Sequence, residues 1–496
     1  MAHSNTSDRA LATGARGGGI VVTGQALRLA IQLAGTVILS RLLTPADFGL
    51  IAMVFVFTSL GALLRDFGVS TVALQARTLT QQQASNLFWL STVLSATVAA
   101  TLALCTPLLV ILYDEPRLSA IGPLLALGLL LDGIQSPLHM RLARSMNFLA
   151  LSVTDIASQL AALVLAILAA IAGWGYWALV VQALAASLLL LVLRQLVARW
   201  VPSWPRRGHG SRAHFRAGGE FGLAQLLAFA ANNTDTLVAG ARWGAVDLGY
   251  YSRAFQLYAL PRIGLIDPLT QVAIPTVNAA ATDDRSRVNA LLLRIQFLLS
   301  MPLTLIYVIA AATADWLIPL VLGDQWGASV LPFQLLTIGG AFVAFSSVSY
   351  WMFVVSLQSR QLMLLHLVTK PMAIIFIVIA SPFGINAIAL AYALGLALAW
   401  PINLIWLART AGQDSWAFFR TGLRVLFSGA VAFAAARSVL VLMADPPSFV
   451  AIIVGTLTAT IAFLVAIVVI PGGLRLIVEA GRNARMIFRR RVAVDR

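Results

Sequence analysis

Three cations inside long apolar segments are the residues of this sequence best suited to chemistry. Counting about 1.5 Å for each helical residue, we place Arg28, Arg262 and Lys370 near the middle of the segments that contain them. A charge at the centre of a bilayer costs a few kcal/mol unless it faces a cavity or a partner. Guanidinium groups bind phosphate through paired hydrogen bonds. We therefore predict a cationic belt at mid-depth that suits an anionic ligand.

Amide side chains extend this belt along two segments. Gln25, Arg28 and Gln32 share one helical face through their spacing, and Gln225 and Asn232 do the same in a later segment. A polar stripe on an apolar helix predicts that both faces line a cavity.

Acidic residues leave a second interpretation open. Arg28 could be neutralised in a buried pair, for example with Asp235, which we also place among the polar groups of the cavity. Asp155 and Asp267 count out to the cytoplasmic half of their segments, and we predict them as candidates for ion coupling. Lys370 could instead extend its side chain toward the membrane surface.

Prolines mark the segment that contains Arg262. Pro261, Pro268 and Pro275 recur every seven residues, so they lie on nearly one helical face. Proline removes a backbone donor and bends a helix, which membrane bundles tolerate. The pattern predicts either a hinge or a fixed kink.

Composition determines which elements must hold these side chains. The 496 residues are 60% hydrophobic and only 11% charged, which is typical of a protein with many membrane spans and excludes a soluble one. The spans must be helices, because unpaired backbone groups in lipid are too costly. Apolar segments of roughly 20 residues predict an all-α membrane protein with about fourteen transmembrane helices.

The predicted organisation is two six-helix lobes with a C-terminal helix pair. The ranges are a tail at 1–17, a first lobe at 18–193, a basic linker at 194–217, a second lobe at 218–408, a helix pair with its preceding loop at 409–470 and a basic tail at 471–496. Basic loops stay in the cytoplasm, so both termini are predicted there. A nucleic-acid arm is the other interpretation of the linker, but apolar spans flank it, and we expect no nucleic-acid partner.

Motifs for enzymatic chemistry are missing from the sequence. The five histidines are scattered, the one cysteine, Cys105, lies in an apolar run, and no Walker or Rossmann glycine motif occurs. We therefore expect no enzyme activity, no cofactor and no bound metal.

A short internal echo indicates that the two lobes are related. Asp47-Phe48-Gly49 precedes the second span of the first lobe, and Asp247-Leu248-Gly249 stands at the equivalent place in the second lobe. Repeats of six spans in the same orientation are related by an axis along the membrane normal, with the substrate site between them. We expect the site at the interface of the lobes.

Seven short motifs, in this order, resemble the polysaccharide flippases of the MOP (MATE-like) superfamily, and most closely the exopolysaccharide and lipopolysaccharide O-unit branch. They are RLLTPADFG (41–49), RDFG (65–68), LTQQQASNLFW (79–89), NNTD (232–235), LGYYSR (248–253), AIP (273–275) and LGDQW (322–326). The resemblance covers roughly residues 18–408.

The resemblance implies a bacterial inner-membrane protein that moves undecaprenyl-diphosphate-linked oligosaccharides to the periplasmic face by alternating access. In the similar lipid II flippases, cavity arginines on helices one, two and eight engage the pyrophosphate, and the similarly placed residues are Arg28, Arg65 and Arg262. Its implied partners are the lipid-linked oligosaccharide, membrane lipids, and the polysaccharide polymerase and export machinery.

Two other functions remain alternatives. A MATE-type antiporter that exports drugs or small metabolites would need an acidic cavity, for which Asp155, Asp235 and Asp267 are available. A membrane polymerase or ligase acting on lipid-linked sugars would need a substantial outer loop with catalytic groups, and all predicted outer loops are short.

Overall fold

The computed structural model describes residues 4–66, 80–205, 212–280, 285–356, 358–411, 414–443 and 446–470. In these ranges the secondary structure is helical and contains no β-strand. The fifteen α-helices are α1 Ser4–Leu42, α2 Pro45–Asp66, α3 Gln81–Leu104, α4 Thr106–Tyr113, α5 Leu118–Arg144, α6 Phe148–Ile171, α7 Trp177–Ala198, α8 Arg212–Ala280, α9 Arg285–Ala312, α10 Ala314–Leu322, α11 Val330–Val355, α12 Ser359–Ala380, α13 Ile385–Ala411, α14 Ser415–Leu442 and α15 Ser448–Val469. The described ranges also contain two short 3-10 helices, Asp324–Ser329 and Ser381–Phe383.

Membrane spans dominate this set of helices. Eleven helices in the described part of the chain are long and apolar enough to cross a bilayer. The prediction of an all-α membrane fold is confirmed, whereas the number fourteen stays a prediction. One predicted span, 86–113, is divided at Cys105 into α3 and α4, with Pro107 in the first turn of α4, where its missing N–H costs nothing.

Contacts divide the chain into two compact units, residues 1–249 and 250–496. The predicted division at the linker 194–217 stays a prediction, because residues 206–211 of that linker lie outside the described ranges. The predicted tail 471–496 also lies outside them.

The first unit is built around α5 and α7. Helix α3 packs against α5, α5 against α7, α6 against α7, and α1 against α6. Small residues allow some of these close approaches. A side chain at Gly133 of α5 would collide with Ser95 of α3, and Ser91 donates a hydrogen bond to the Gly133 carbonyl at 3.0 Å.

The internal echo has a structural counterpart in the first unit. Helix α8 leaves helical geometry at Gly244, where φ is 75°, a value that favours glycine. A Cβ on Gly49 would collide with the backbone of Ala245, and a Cβ on Gly249 would collide with the backbone of Pro45. Since Pro45 and Ala245 stand at equivalent places beside the two echoes, the contact between the two echoes is reciprocal.

The second unit has an interior of aromatic rings. Helix α9 packs against α11, α11 against α13, and α12 against α13. Tyr258 stacks on Tyr307 with 5.6 Å between ring centroids, and Phe255 meets Tyr392 edge to face at 5.4 Å. The Tyr307 hydroxyl donates to the Tyr258 carbonyl at 3.0 Å. Helix α8 runs through Pro261 and Pro268 in helical geometry, and the side chain of Pro275 lies outside the description, so the hinge stays a prediction.

Candidate functional site

A basic cavity of about 470 Å³ lies in the first unit. Helices α1, α2, α5, α6 and α7 all contribute side chains to its wall. The lining consists of Arg28, Arg65, Asp132, Gln135, Ser136, His139, Asp155, Ser158, Gln159, Ala186, Ser187, Leu190 and Arg194. Three arginines stand against two aspartates, so these ionised groups carry a net positive charge.

Asp155 of α6 joins two of the arginines. Its Oδ2 accepts a hydrogen bond from Nη1 of Arg28 at 2.6 Å, and its Oδ1 accepts one from Nη2 of Arg194 at 2.5 Å. Nη2 of Arg28 also donates to Gln25 Oε1 at 3.1 Å, and Nη1 of Arg194 donates to Gln135. One carboxylate therefore holds α1, α6 and α7 together by charge-assisted hydrogen bonds.

Burial differs strongly between the two arginines. The side chain of Arg194 is 5% exposed, whereas that of Arg28 is 36% exposed. A buried guanidinium needs its counter-charge, because an unpaired charge at that depth is costly. Arg194 is thus the structural partner of Asp155, and Arg28 is the partner that the cavity can present to a ligand.

The structure brings some of the predicted residues together. Arg28, Arg65 and Asp155 line one cavity, and Gln25 reaches it through its hydrogen bond to Arg28. Arg28 does form an ion pair with an aspartate, as one of the two interpretations predicts. Its partner is Asp155 and not Asp235, because α1 packs against α6.

Other predicted cavity residues lie elsewhere in the first unit. Gln32 is exposed on α1 and does not line the cavity. Gln225, Asn232 and Asp235 belong to the first segment of α8, which contributes no side chain to the described lining. Asp235 is 1% exposed.

The remaining predicted cations lie in the second unit. Nη1 of Arg262 is 4.0 Å from Oδ1 of Asp267, and the two side chains are 42% and 54% exposed. An ion pair this long and this exposed contributes little. Lys370 lies on α12 with an intermediate exposure.

Arg194 is the main cavity residue that sequence reasoning misplaced. The sequence assigned it to the start of the linker, but α7 continues to Ala198 and carries Arg194 inward. A signal was available, because Ser187, Leu190 and Arg194 follow helical spacing on one face.

The polar face of α5 was missed in the same way. Asp132, Gln135, Ser136 and His139 stand at i, i+3, i+4 and i+7, and all four line the cavity. The cavity as a whole offers fixed cations and hydrogen-bonding amides, which suit an anion with polar substituents. The described residues include no cluster of side chains that could hold a metal ion.

Comparisons with known proteins add sequence relatives. A family model described as "Polysaccharide biosynthesis protein" matches residues 38–331. The lipopolysaccharide biosynthesis protein WzxC of Escherichia coli (strain K12) is 23% identical over 329 residues, which cover 63% of this chain and 64% of that protein. The succinoglycan biosynthesis transport protein ExoT of Rhizobium meliloti (strain 1021) is 24% identical over 261 residues, or 52% of each chain. The chain spans less than two thirds of the length of either relative.

Two solved structures are similar to this chain in fold. The lipid II flippase MurJ in an inward closed conformation matches with a TM-score of 0.66 at 13% identity, over 89% of this chain and 97% of that one. An inward-facing multidrug resistance MATE family transporter of the MOP superfamily matches with a TM-score of 0.59 at 16% identity, over 79% and 96%. The likeness identifies the fold as that of these membrane transporters.

Proposed function

The chain belongs to the polysaccharide biosynthesis protein family, and from this premise we propose that it is a flippase for lipid-linked oligosaccharides. Its cargo is an undecaprenyl-diphosphate-linked oligosaccharide, which it moves across the bacterial inner membrane by alternating access. The product serves extracellular polysaccharide or lipopolysaccharide biosynthesis.

The observation that carries this proposal is the net positive cavity in the first unit. Arg28, Arg65 and Arg194 stand against Asp132 and Asp155 on its wall. A diphosphate that leaves water must exchange its hydration shell for fixed donors, and guanidinium groups provide these in pairs. The serines and amides of the lining offer hydrogen bonds to the sugars.

Asp155 allows a diphosphate to replace a carboxylate as the hydrogen-bond acceptor of Arg28. Its carboxylate accepts hydrogen bonds from both Arg28 and Arg194. A diphosphate competes for the donors of Arg28, the more exposed partner, while Arg194 keeps Asp155 neutralised. The cargo therefore enters without leaving either an unpaired cation or an unpaired carboxylate in the membrane.

Further residues of both units complete the proposed set. Arg262 and Lys370 stay proposed as cargo-binding cations, and Gln32, Gln225, Asn232 and Asp235 as polar groups that the cargo meets outside the cavity of the first unit. Asp155 and Asp267 stay candidates for ion coupling. Pro261, Pro268 and Pro275 stay proposed as the hinge.

The proposed setting is a multi-pass protein of the inner membrane with both termini in the cytoplasm. Its proposed partners are the lipid-linked oligosaccharide, membrane lipids and the polymerase and export machinery. We propose that the protein itself has no enzymatic activity and needs no cofactor.

The alternative is a MATE-type antiporter for drugs or small metabolites. An organic cation needs a net acidic cavity, and the cavity of the first unit has the opposite sign. The charge of the cavity therefore favours the anionic cargo.

A deletion strain complemented with variants tests the proposal. We expect Arg28→Gln and Arg65→Gln to abolish surface polysaccharide and to accumulate lipid-linked oligosaccharide on the inner face, with unchanged drug susceptibility. The matched control is Arg117→Gln, since Arg117 pairs with Glu115 outside the cavity, and it should export normally. Normal export by both cavity variants, or a loss of drug resistance instead, would refute the proposed cargo.

A further inference from the structure

One ionisable side chain on the wall of the cavity has no role in the cargo binding proposed above. It is His139, which lines the cavity and lies near the end of α5, the helix that ends at Arg144. The residue is exposed, so a molecule in the cavity can reach it. Imidazole is the side chain whose charge changes near neutral pH. The charge of His139 can therefore respond to what the cavity holds.

Charged groups surround His139 from each of the five helices that line the cavity. They are Arg28 of α1, Arg65 of α2, Asp132 of α5 itself, Asp155 of α6 and Arg194 of α7. The charges of Arg28, Asp155 and Arg194 act on the imidazole. Helix α3, which also packs against α5, has no charged side chain. The imidazole thus lies in a wall where cations outnumber carboxylates.

The two carboxylates of the wall are poorly placed to pair with a protonated His139. Both oxygens of Asp155 already accept a guanidinium hydrogen bond, one from Arg28 and one from Arg194. Asp132 stands seven residues before His139 on α5, which is about 10.5 Å along the helix axis. An anion from outside the wall would therefore stabilise the charged imidazole.

A bound diphosphate is such an anion. A diphosphate that is joined to a lipid at one end and to a sugar at the other carries one negative charge on each phosphate. The wall of the cavity offers a single excess positive charge while His139 is neutral. The loaded cavity would keep one uncompensated negative charge, which is costly within a membrane. Protonation of His139 would remove this charge.

We propose that His139 takes up a proton when the diphosphate binds, so that the loaded cavity is electrically neutral. The proton comes from water, adds to a ring nitrogen of the neutral imidazole, and returns to water when the cargo leaves. The imidazolium donates hydrogen bonds to phosphate oxygens, as the guanidinium groups do. The inference rests on the proposed diphosphate cargo and adds to it a pH-dependent binding residue.

Calorimetric titration of the full chain in detergent with farnesyl diphosphoryl glucose tests this inference. Both phosphates of the probe are esterified, so its own charge stays constant, whereas a terminal phosphate would lose a proton near about pH 6. Linkage relates the change of affinity with pH to the number of protons taken up. We expect binding to weaken about tenfold from pH 6 to pH 8. Buffers with different heats of ionisation should show an uptake of roughly half a proton or more per bound probe at pH 7.

Two substitutions of His139 distinguish a proton-binding role from a structural one. His139→Gln keeps a polar side chain without a charge, and it should bind at every pH as weakly as the unmodified chain does at pH 8. His139→Arg has a permanent charge, and it should bind at every pH as tightly as the unmodified chain does at pH 6. A side chain needed only for packing would not be replaced in this way by a larger cation. The matched control is His366→Gln on α12 of the second unit, which should keep the pH dependence.

The results that overturn this inference differ from those that refute the proposed function. Equal binding of the probe at pH 6 and pH 8 by the unmodified chain would overturn the inference and leave the proposed cargo standing. Proton uptake that persists in His139→Gln would do the same, because it would assign the proton to a carboxylate. No binding of the probe at either pH would refute the proposed function, and the inference with it. If His139→Gln does not fold, loss of proton uptake in His139→Arg keeps the test decisive.

Discussion

The first unit arranges charged side chains around a cavity, whereas the second unit fills its interior with aromatic rings. In the first, Asp155 joins Arg28 and Arg194. In the second, Tyr258 stacks on Tyr307 and meets Tyr392 edge to face, and Tyr258 is 1% exposed. Both units share one packing scheme, in which α3–α5, α5–α7 and α6–α7 correspond to α9–α11, α11–α13 and α12–α13.

This difference shows that a common helix arrangement tolerates two kinds of interior. Apolar and aromatic side chains stabilise packing without counter-charges. Charged side chains stabilise it only in pairs, because a single unpaired charge in the membrane is costly. The stability of the first unit should therefore fall most when a charged side chain is neutralised, and that of the second unit when the volume of a buried side chain changes.

Asp155→Asn should produce the largest effect. It leaves the 5%-exposed Arg194 without its counter-charge, and we expect the free energy of unfolding to fall by about 3–5 kcal/mol. Unfolding in detergent followed by circular dichroism measures this loss. The matched control is Asp267→Asn, whose carboxylate is 54% exposed and 4.0 Å from Arg262, and which should cost almost nothing. Equal losses would remove the contrast between the units.

Gly340→Ala should have the next largest effect, this time in the second unit. The added methyl group would collide with the ring of Tyr307, which is 2% exposed and cannot move aside. Overpacking of this kind costs about 1–3 kcal/mol. Gly264→Ala is the control, because nothing lies within 4 Å of its new methyl group. If both variants unfold at the same denaturant concentration, the aromatic interior is not tightly packed.

Arg437→Gln should have a smaller effect. Arg437 of α14 pairs with Asp315 of α10, but their side chains are 33% and 41% exposed. An ion pair with this exposure contributes at most about 1 kcal/mol. The same unfolding assay, with Arg420→Gln as control, measures it. A loss as large as that of Asp155→Asn would show that charge matters equally in both units.

The smallest effect should come from Glu115→Gln, outside the cavity. Hydrogen bonds from Arg117, at 2.7 and 2.8 Å, and its charge lower the pKa of Glu115. A carboxyl group whose pKa is lower in the folded state stabilises the fold at pH values above its unfolded-state pKa. This contribution to stability is lost as the pH falls through the folded-state pKa. Because Arg117 is 45% exposed, we expect less than about 1 kcal/mol at neutral pH. A stability difference that persists unchanged well below pH 4 would contradict this origin.

Sequence reasoning found part of the cavity for a clear reason. A charge in an apolar segment is conspicuous, so Arg28 and Asp155 were identified from their positions alone. Arg194 was not, because it stands near the end of its helix, where six arginines between positions 194 and 216 look like a loop. The pairing of Arg28 with Asp155 could not be predicted either, since it depends on which helix packs against α1.

The sequence by itself determined the membrane class, the helical fold and the family, because apolar length, backbone hydrogen bonding and local motifs are properties of the chain taken segment by segment. Tertiary structure alone decided which charges meet. Helix packing placed Asp155 between Arg28 and Arg194, and it placed His139 on the wall of the same cavity. Electrostatic interactions act through space and fall off with distance, so residues far apart in sequence become a site only when the helices bring them together.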